Sequence, residues 1–452
     1  MIELVRRFAA ADPARVAIIT EDDQWSYGRL AAEADALAHG LRASGTDRFA
    51  IVSNDVPFIV ALMAASSLVG AEACVYAPDI TTEDLVRQAG TFGHEVVATT
   101  RTDLGDLPVT LRTPEDLRAE GPRIDQLPDS RPLLVLTTGT TGLPRGVRHD
   151  WSRQLSRTTA ARDAAGQVWL LAYGPQQFAG LQVLIHVFST GATLMAPPVR
   201  RPQAVMEALH THGVDHISAT PTFWRFLLAE LRADDRPVPS LRQITLGGEA
   251  APASLLEGLT ETFPEARISH IYAGSEFGST GSVRDGQGGL PAALLERGGD
   301  GDISLKIVDG ELFVRSSASM LGYHGDTDLP EGEWWPTGDV VEVVGERIEF
   351  RGRKSDVINV GGVKVHPLPV EERVSSVPGV KVVRAYGRTN ALVGAVVAID
   401  VVPDGTVDER ALKESIRSAC ADLPRPWQPR SIQVVEETAM KGNKIVRGTE
   451  ER

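Results

Sequence analysis

A run rich in threonine and glycine, Thr137-Thr138-Gly139-Thr140-Thr141-Gly142-Leu143-Pro144-Arg145-Gly146, follows directly on the apolar stretch Leu133 to Leu136. Such a run can cradle phosphate. Glycines let the backbone approach closely, successive N–H groups and threonine hydroxyls donate to anionic oxygens, and Arg145 adds a cation at the end of the loop. The spacing is not that of GxxxxGK[ST], so a P-loop of that kind is excluded. Taken alone, the run reads equally well as a polar surface turn, and the rest of the chain must decide.

Four further segments follow in order: Gly247-Gly248-Glu249-Ala250, Tyr272-Ala273-Gly274-Ser275-Glu276, Trp335-Pro336-Thr337-Gly338-Asp339 and Gly352-Arg353-Lys354-Ser355-Asp356, with Lys444-Ile445-Val446-Arg447 near the end. A carboxylate such as Glu276 opposite a phosphate loop is what magnesium needs to bridge to oxygens. Asp339 can accept from two hydroxyls at once, and a lysine such as Lys444 can offset the repulsion when one anion attacks another. With these segments the whole sequence resembles the adenylate-forming superfamily of acyl-CoA synthetases, adenylation domains and luciferases. The resemblance implies that Thr137 to Gly142 and Arg145 hold phosphate, and that Gly248, Glu249 and Ala250 floor the adenine with Gly247 beside the acid. It further implies that Tyr272, Ala273, Gly274 and Ser275 contact the nucleotide, Glu276 holds magnesium, Asp339 and Arg353 grip the nucleotide, Ser355 is the hinge and Lys444 is catalytic. Arg145 stands for the usual lysine, Ser355 for an Asp or Lys, and Asn443 for a glycine.

The acid pocket of many relatives carries an aromatic-His pair before a glycine. Here the stretch reads Pro175-Gln176-Gln177-Phe178-Ala179-Gly180, so Gln176, Gln177, Phe178 and Gly180 are expected to line it. Two amides favour a small, polar or aromatic acid over a long alkyl chain, because a buried amide needs hydrogen-bond partners. His149 reads as a neighbour of a helix cap. His210, His212 and His216 do not make a metal site, since Gly213 interrupts the helix that would align them.

The elements that must position these residues alternate. Val16 to Thr20, Phe49 to Ser53, Glu95 to Thr99, Leu133 to Leu136, Val168 to Ala172, Ala192 to Met195, Ile217 to Ala219 and Ile244 to Leu246 read as strands. Helical patterns lie between them, including Val56 to Gly70, Leu181 to Phe188 and Ala204 to His210, which is the signature of parallel sheets covered by helices. From Asp285 the glycine-rich acidic texture and short strands such as Leu312 to Arg315 and Val340 to Val344 indicate a small β-rich subdomain. After Gly352 come strands at Val380 to Tyr386 and Ala391 to Ile399 and one amphipathic helix, Glu409 to Cys420. The expected fold is α/β: a large N-terminal AMP-binding domain over 1–352, built of parallel-rich α/β subdomains and the small β-rich one. A small mobile α+β C-terminal domain over 353–452 follows.

The chain has 452 residues, 46 Lys+Arg against 60 Asp+Glu, and a net charge of −14, which repels a nucleic-acid backbone. Cys74 and Cys420 are the two cysteines, so no disulfide framework or cysteine zinc site can form, and a reducing cytoplasm is expected. The run Val56 to Ala71 is too short and too interrupted for a membrane span. The resemblance implies ATP and magnesium as cofactors, acyl-adenylate formation with release of pyrophosphate, and transfer to coenzyme A. In the second step the loop Gly361-Gly362-Val363-Lys364-Val365 would approach the site. The departures at Arg145, Gln177, Ser355 and Asn443 keep other acceptors open: a carrier-protein thiol, or an amine in amide or nitrogen–nitrogen bond formation, including activation of nitrite. A nucleotide-binding protein without chemistry is the third reading, and the retained Glu276, Asp339, Arg353 and Lys444 oppose it.

Overall fold

The computed structural model describes all residues except 138–143, 157, 159–161, 297–302, 331, 437, 439, 442–443 and 446–452. For 440, 441, 444 and 445 it describes the backbone alone. Two parallel-rich sheets form the large part of the molecule. The first runs, edge to edge, through Gly278–Val283, Arg267–Gly274, Gln243–Gly247, His216–Ala219, Val168–Leu171, Thr193–Met195, Val16–Ile19 and Gln24–Ser26. Its two edge strands are antiparallel to their neighbours and the inner ones parallel. The second sheet runs through Gly322–Tyr323, Arg145–Asp150, Pro132–Thr137, Glu72–Val75, Arg48–Val52, Val96–Thr99 and Thr110–Arg112.

Helices packed between the sheets fuse them into one apolar core, in which Phe49 and Ile51 of the second sheet belong to the same cluster of buried side chains as Leu171 and Leu194 of the first. The Val56–Val69 helix is buried from Val56 through Leu68. A helix apolar on every side has no face for water and must lie inside. Asp55 caps its start by accepting from the Phe58 N–H, and Gly70 ends it at a φ of 78° that L side chains disfavour.

Beyond Val283 a five-stranded antiparallel sheet, Leu290–Pro291, Arg347–Arg353, Trp335–Val344, Glu311–Ser316 and Ile303–Val308, forms the small β subdomain. Its apolar side packs on Phe277 and Tyr272, tying it to the edge of the first sheet. The C-terminal part has its own sheet and its own core, around Val370, Val383, Ile399 and Ile416. It touches the large part through Phe226, which packs with Val382, Val402 and Val435, and through Lys381 Nζ, 3.4 Å from Glu230 Oε1.

Several elements differ from the sequence reading. A second C-terminal helix, Pro367–Ser375, joins Glu409–Ala419; its prolines hide the pattern, yet Pro is favoured in a first turn, where the N–H has no partner to lose. The same effect concealed the Pro221–Ala233 helix, which Thr220 caps. Ala391 to Val393 belongs to a hairpin connection, and the strand starts at Gly394. Arg145 opens a strand, Arg145–Asp150, that pairs antiparallel with Pro132–Thr137, so a strand follows the phosphate-loop motif as well as preceding it.

Candidate active site

At the end of the antiparallel ladder between Trp335–Val344 and Arg347–Arg353, Asp339 stands opposite Arg353. Arg353 Nε lies 3.3 Å from Asp339 Oδ1, and the Tyr272 hydroxyl donates to Asp339 Oδ2 at 2.6 Å. The loop is fixed locally. The Asp339 N–H donates to Thr337 Oγ1, that hydroxyl donates to the Leu312 carbonyl, and the Gly338 N–H donates to Glu311. Gly338 has a φ of 75°, a position glycine supplies without strain. The Tyr272 ring stacks on Phe277 at 5.3 Å and tilts over Phe350 at 4.9 Å. Burial pushes both acids up: Tyr272 rises far above the phenol range with the Asp339 charge adding to the effect, and Asp339 rises against the pull of Arg353.

A second cluster sits at the other sheet. The Tyr323 hydroxyl donates to Glu276 Oε1 at 3.1 Å, and the Arg145 guanidinium lies 3.3 Å over the Tyr323 ring. One aromatic ring thus carries a carboxylate on its edge and a cation on its face, a contact worth about 0.5–2 kcal/mol. Burial, then Glu276, raises the Tyr323 hydroxyl above its ordinary range. Sequence reasoning passed over Tyr323, because it belongs to no motif and reaches Glu276 through the pairing of Gly322–Tyr323 with Arg148 and Val147. Thr137 lines the cleft with its hydroxyl donating to the Arg145 carbonyl. Thr138, Gly139, Thr140, Thr141 and Gly142 lie outside the described residues.

Tyr272, Asp339 and Arg353 of the first cluster and Glu276 of the second line one cleft of about 2150 Å³ along the C-terminal ends of the parallel strands, where open α/β sheets bind ligands, while Tyr323 and Arg145 stand behind Glu276 and are not among the lining residues. Gly247, Gly248, Glu249, Ala250, Ala273, Gly274 and Ser275 line it, as do Gln176, Gln177 and Phe178. The Tyr173 hydroxyl donates to the Gly247 carbonyl at 3.0 Å. Two of the expected residues have other commitments as well. Glu249 Oε2 accepts the Thr222 N–H at the start of the Pro221–Ala233 helix. Gln177 Oε1 accepts the Gly174 N–H and so closes its own turn rather than offering that oxygen to a ligand. Gly180 packs so tightly that a Cβ there would stand 2.1 Å from the Gly174 carbonyl oxygen.

His149 is the cap neighbour expected, directly before Asp150, which caps the Trp151–Leu155 helix, and it is also buried beneath the pocket. It stacks on Phe178 at 5.4 Å and pairs through Nδ1 with Gln154 Nε2 at 3.1 Å. Burial lowers its pKa to about 4, so it is neutral at pH 7 and holds Phe178 in place. Ser355 donates to Asp356 Oδ1 in a single helical turn after Arg353. Lys444 lies on a short hairpin with Met440–Lys441, six residues beyond the cleft-lining Thr438. Gly362 lines a small separate hollow with Asn359 and Val393 and is not among the cleft's lining residues. Among the described residues no group of three or more His, Cys, Asp or Glu is placed to hold a metal, so Glu276 offers a single carboxylate.

This is the architecture and cleft of a nucleotide-using enzyme of two unequal parts. A family model described as AMP-binding enzyme matches residues 5–324, and the chain belongs to that family. The 2-succinylbenzoate–CoA ligase of Bacillus cereus (strain ATCC 14579) is 25% identical over 465 residues, covering 96% of this chain and 94% of the relative. Among solved structures, the anthranilate CoA ligase AuaEII in complex with anthranoyl-AMP matches with a TM-score of 0.85 at 19% identity, over 98% of this chain and 95% of that one. The o-succinylbenzoate coenzyme A synthetase from Bacillus subtilis in complex with ATP and magnesium matches with a TM-score of 0.77 at 23% identity, over 98% of both chains. At these identities the two structures speak for the fold, which bears out the adenylate-forming architecture expected from the sequence. No helix among the described residues is long and apolar enough to cross a membrane.

Proposed function

We propose that this enzyme uses ATP and magnesium to join a carboxylic acid, aromatic by preference, to coenzyme A. The observation that carries the reading is the convergence on one cleft of the Tyr272–Asp339–Arg353 group and of Glu276, which Tyr323 and Arg145 back from behind. In the first step a carboxylate oxygen attacks the α-phosphorus of ATP and pyrophosphate leaves. In the second the thiol of coenzyme A attacks the acyl carbon, its proton is lost, and AMP leaves. Asp339, placed by Thr337 and backed by Arg353, would accept from the ribose hydroxyls, taking the place of the Tyr272 hydrogen bond it holds now. Tyr272 would stack on adenine, against the floor made by Gly248, Glu249 and Ala250.

Arg145 and the threonines of the Thr137 to Gly146 segment would bind the leaving phosphates. A divalent ion would be held by Glu276, whose oxygen accepts from the Tyr323 hydroxyl, and would neutralise charge on the phosphates. Lys444 would bridge the attacking carboxylate and the α-phosphate. Residues 353–452, pivoting at Ser355, would then bring the Gly361-Gly362 loop to the cleft for the second step. Relatives named as CoA ligases of aromatic acids support coenzyme A as acceptor; nothing in the cleft favours a carrier protein or an amine.

The test is product analysis by mass spectrometry with ATP, magnesium and pooled aromatic and aliphatic acids, with and without coenzyme A. AMP with a new acyl-CoA is the expected result. An acyl-adenylate that coenzyme A leaves unchanged would overturn the second half of the reading.

A further inference from the structure

Two side chains that line the cleft have polar atoms with no hydrogen-bond partner among the described residues. Arg200 lies on the connection leaving the C-terminal end of the Thr193–Met195 strand and lines the cleft. Its Nε and Nη2 are buried and meet no acceptor among the described residues. Gln176, beyond the end of the adjacent Val168–Leu171 strand, lines the same cleft, and its amide oxygen is buried without a partner among those residues. Burial draws the Arg200 pKa down to about 10, with no carboxylate offsetting it, and the group stays charged at pH 7. A guanidinium with two nitrogens shut off from water and no acceptor for them among the described residues destabilises the empty protein, and an oxyanion entering the cleft relieves it.

Resting on the ligase reading, we propose that Arg200 recognises a second anionic group, a distal carboxylate, on the acid that this cleft activates. The strand that leads to Arg200 lies farther from the adenine side of the cleft than from the acid side. The Thr193–Met195 strand is four places along the sheet from Arg267–Gly274, which carries Tyr272, about 19 Å at ordinary strand spacing. From Gly247, beside which the reacting carboxyl would lie, it is three places, about 14 Å. The reach of the arginine side chain covers part of that span and leaves a spacer for the substrate. A guanidinium matches a carboxylate with two parallel hydrogen bonds, which a lysine cannot reproduce. The Gln176 amide can rotate to donate to the same group.

The test is acid-dependent exchange of pyrophosphate into ATP, a reaction that needs no coenzyme A, with phthalate, homophthalate and 2-succinylbenzoate against their monomethyl esters. The wild type is expected to prefer a free diacid over its monoester by about 30-fold or more in kcat/KM. Arg200→Met should erase that preference by raising KM with kcat little changed, and Arg200→Lys should keep part of it. Equal use of diacid and monoester by the wild type would overturn the proposal. So would an Arg200→Met effect confined to KM for coenzyme A in the complete reaction, which would assign the guanidinium to that co-substrate's phosphates.

Melting temperature supplies a readout independent of chemistry. The empty Arg200→Met protein should melt higher than wild type, and the diacids should raise the melting temperature of wild type alone. If no acid supports exchange, the ligase reading fails, and the melting series still decides whether Arg200 binds a diacid.

Discussion

Asp339 is held from three directions before any ligand arrives: by the Tyr272 hydroxyl, by Arg353 and by the Thr337 hydroxyl under its own backbone. Asp339→Asn therefore keeps the shape and removes the charge, and should raise KM for ATP by about 10- to 100-fold, measured by pyrophosphate exchange. Tyr272→Phe should cost less, because the ring stacking on Phe277 and Phe350 survives. Lys444→Ala should slow adenylation by about 100-fold or more while leaving thioester formation from a supplied acyl-adenylate near wild type. A variant that still adenylates at the wild-type rate would remove Lys444 from the mechanism. Asp339, Glu276 and Arg145 were legible from their motifs. Tyr323, which connects the last two, was not, because its place follows from a strand pairing between residues about 175 apart.

At the scale of elements, the proposed acid pocket depends on how the Phe178–Thr190 helix starts. Gly180 allows its first turn to lie against Gly174, and Gln177 seals the same turn. Gly180→Ala forces a Cβ into the Gly174 carbonyl and should cost about 1–3 kcal/mol, read from a urea transition, with KM for the acid rising and KM for ATP unchanged. A variant as stable as wild type would mean that the turn yields easily. Gly180 and Gln177 were expected to line the pocket. The structure shows that Gly180 is required by the backbone packed against it, and that Gln177 serves the loop. The strand pattern was largely readable because alternating apolar runs and turn residues mark parallel sheets. The helices Pro221–Ala233 and Pro367–Ser375 were not, because a proline-initiated helix looks like a break until its neighbours are known.

For the whole molecule, burial of histidines ties stability to pH. His94, whose Nδ1 meets the Tyr76 hydroxyl, and His149 are both buried and have pKa values lowered by burial to about 3 and about 4. The unfolded chain takes up protons at these sites as pH falls through about 6.5, and the folded chain does not until about 4 or below. Stability should therefore be complete above pH 7 and fall between about pH 6.5 and 4, by up to about 1.4 kcal/mol per pH unit for each histidine. Urea midpoints across that range check it, and His149→Gln should flatten the curve. The contact of Phe226 with Val382, Val402 and Val435, together with Lys381 and Glu230, holds the C-terminal part against the large one. Phe226→Ala with Lys381→Ala should speed tryptic cleavage at Arg353 or Lys354 without changing the melting of the large part. Unchanged cleavage would show that the contact does not restrain the two parts.

The sequence by itself determined the alternating α/β plan, the family to which the chain belongs and the order of its charged motifs, because these depend on local period and on short spacing. Only the tertiary structure decided which side chains are already occupied and which are left waiting. Glu249 and Gln177 accept hydrogen bonds from backbone around them, His149 lies neutral under Phe178, and Arg200 stands half-buried in the cleft wall with Nε and Nη2 shut off from water. The physical reason is that a polar group's availability is set by what surrounds it in space. Those surroundings come from strands and loops far apart in the chain.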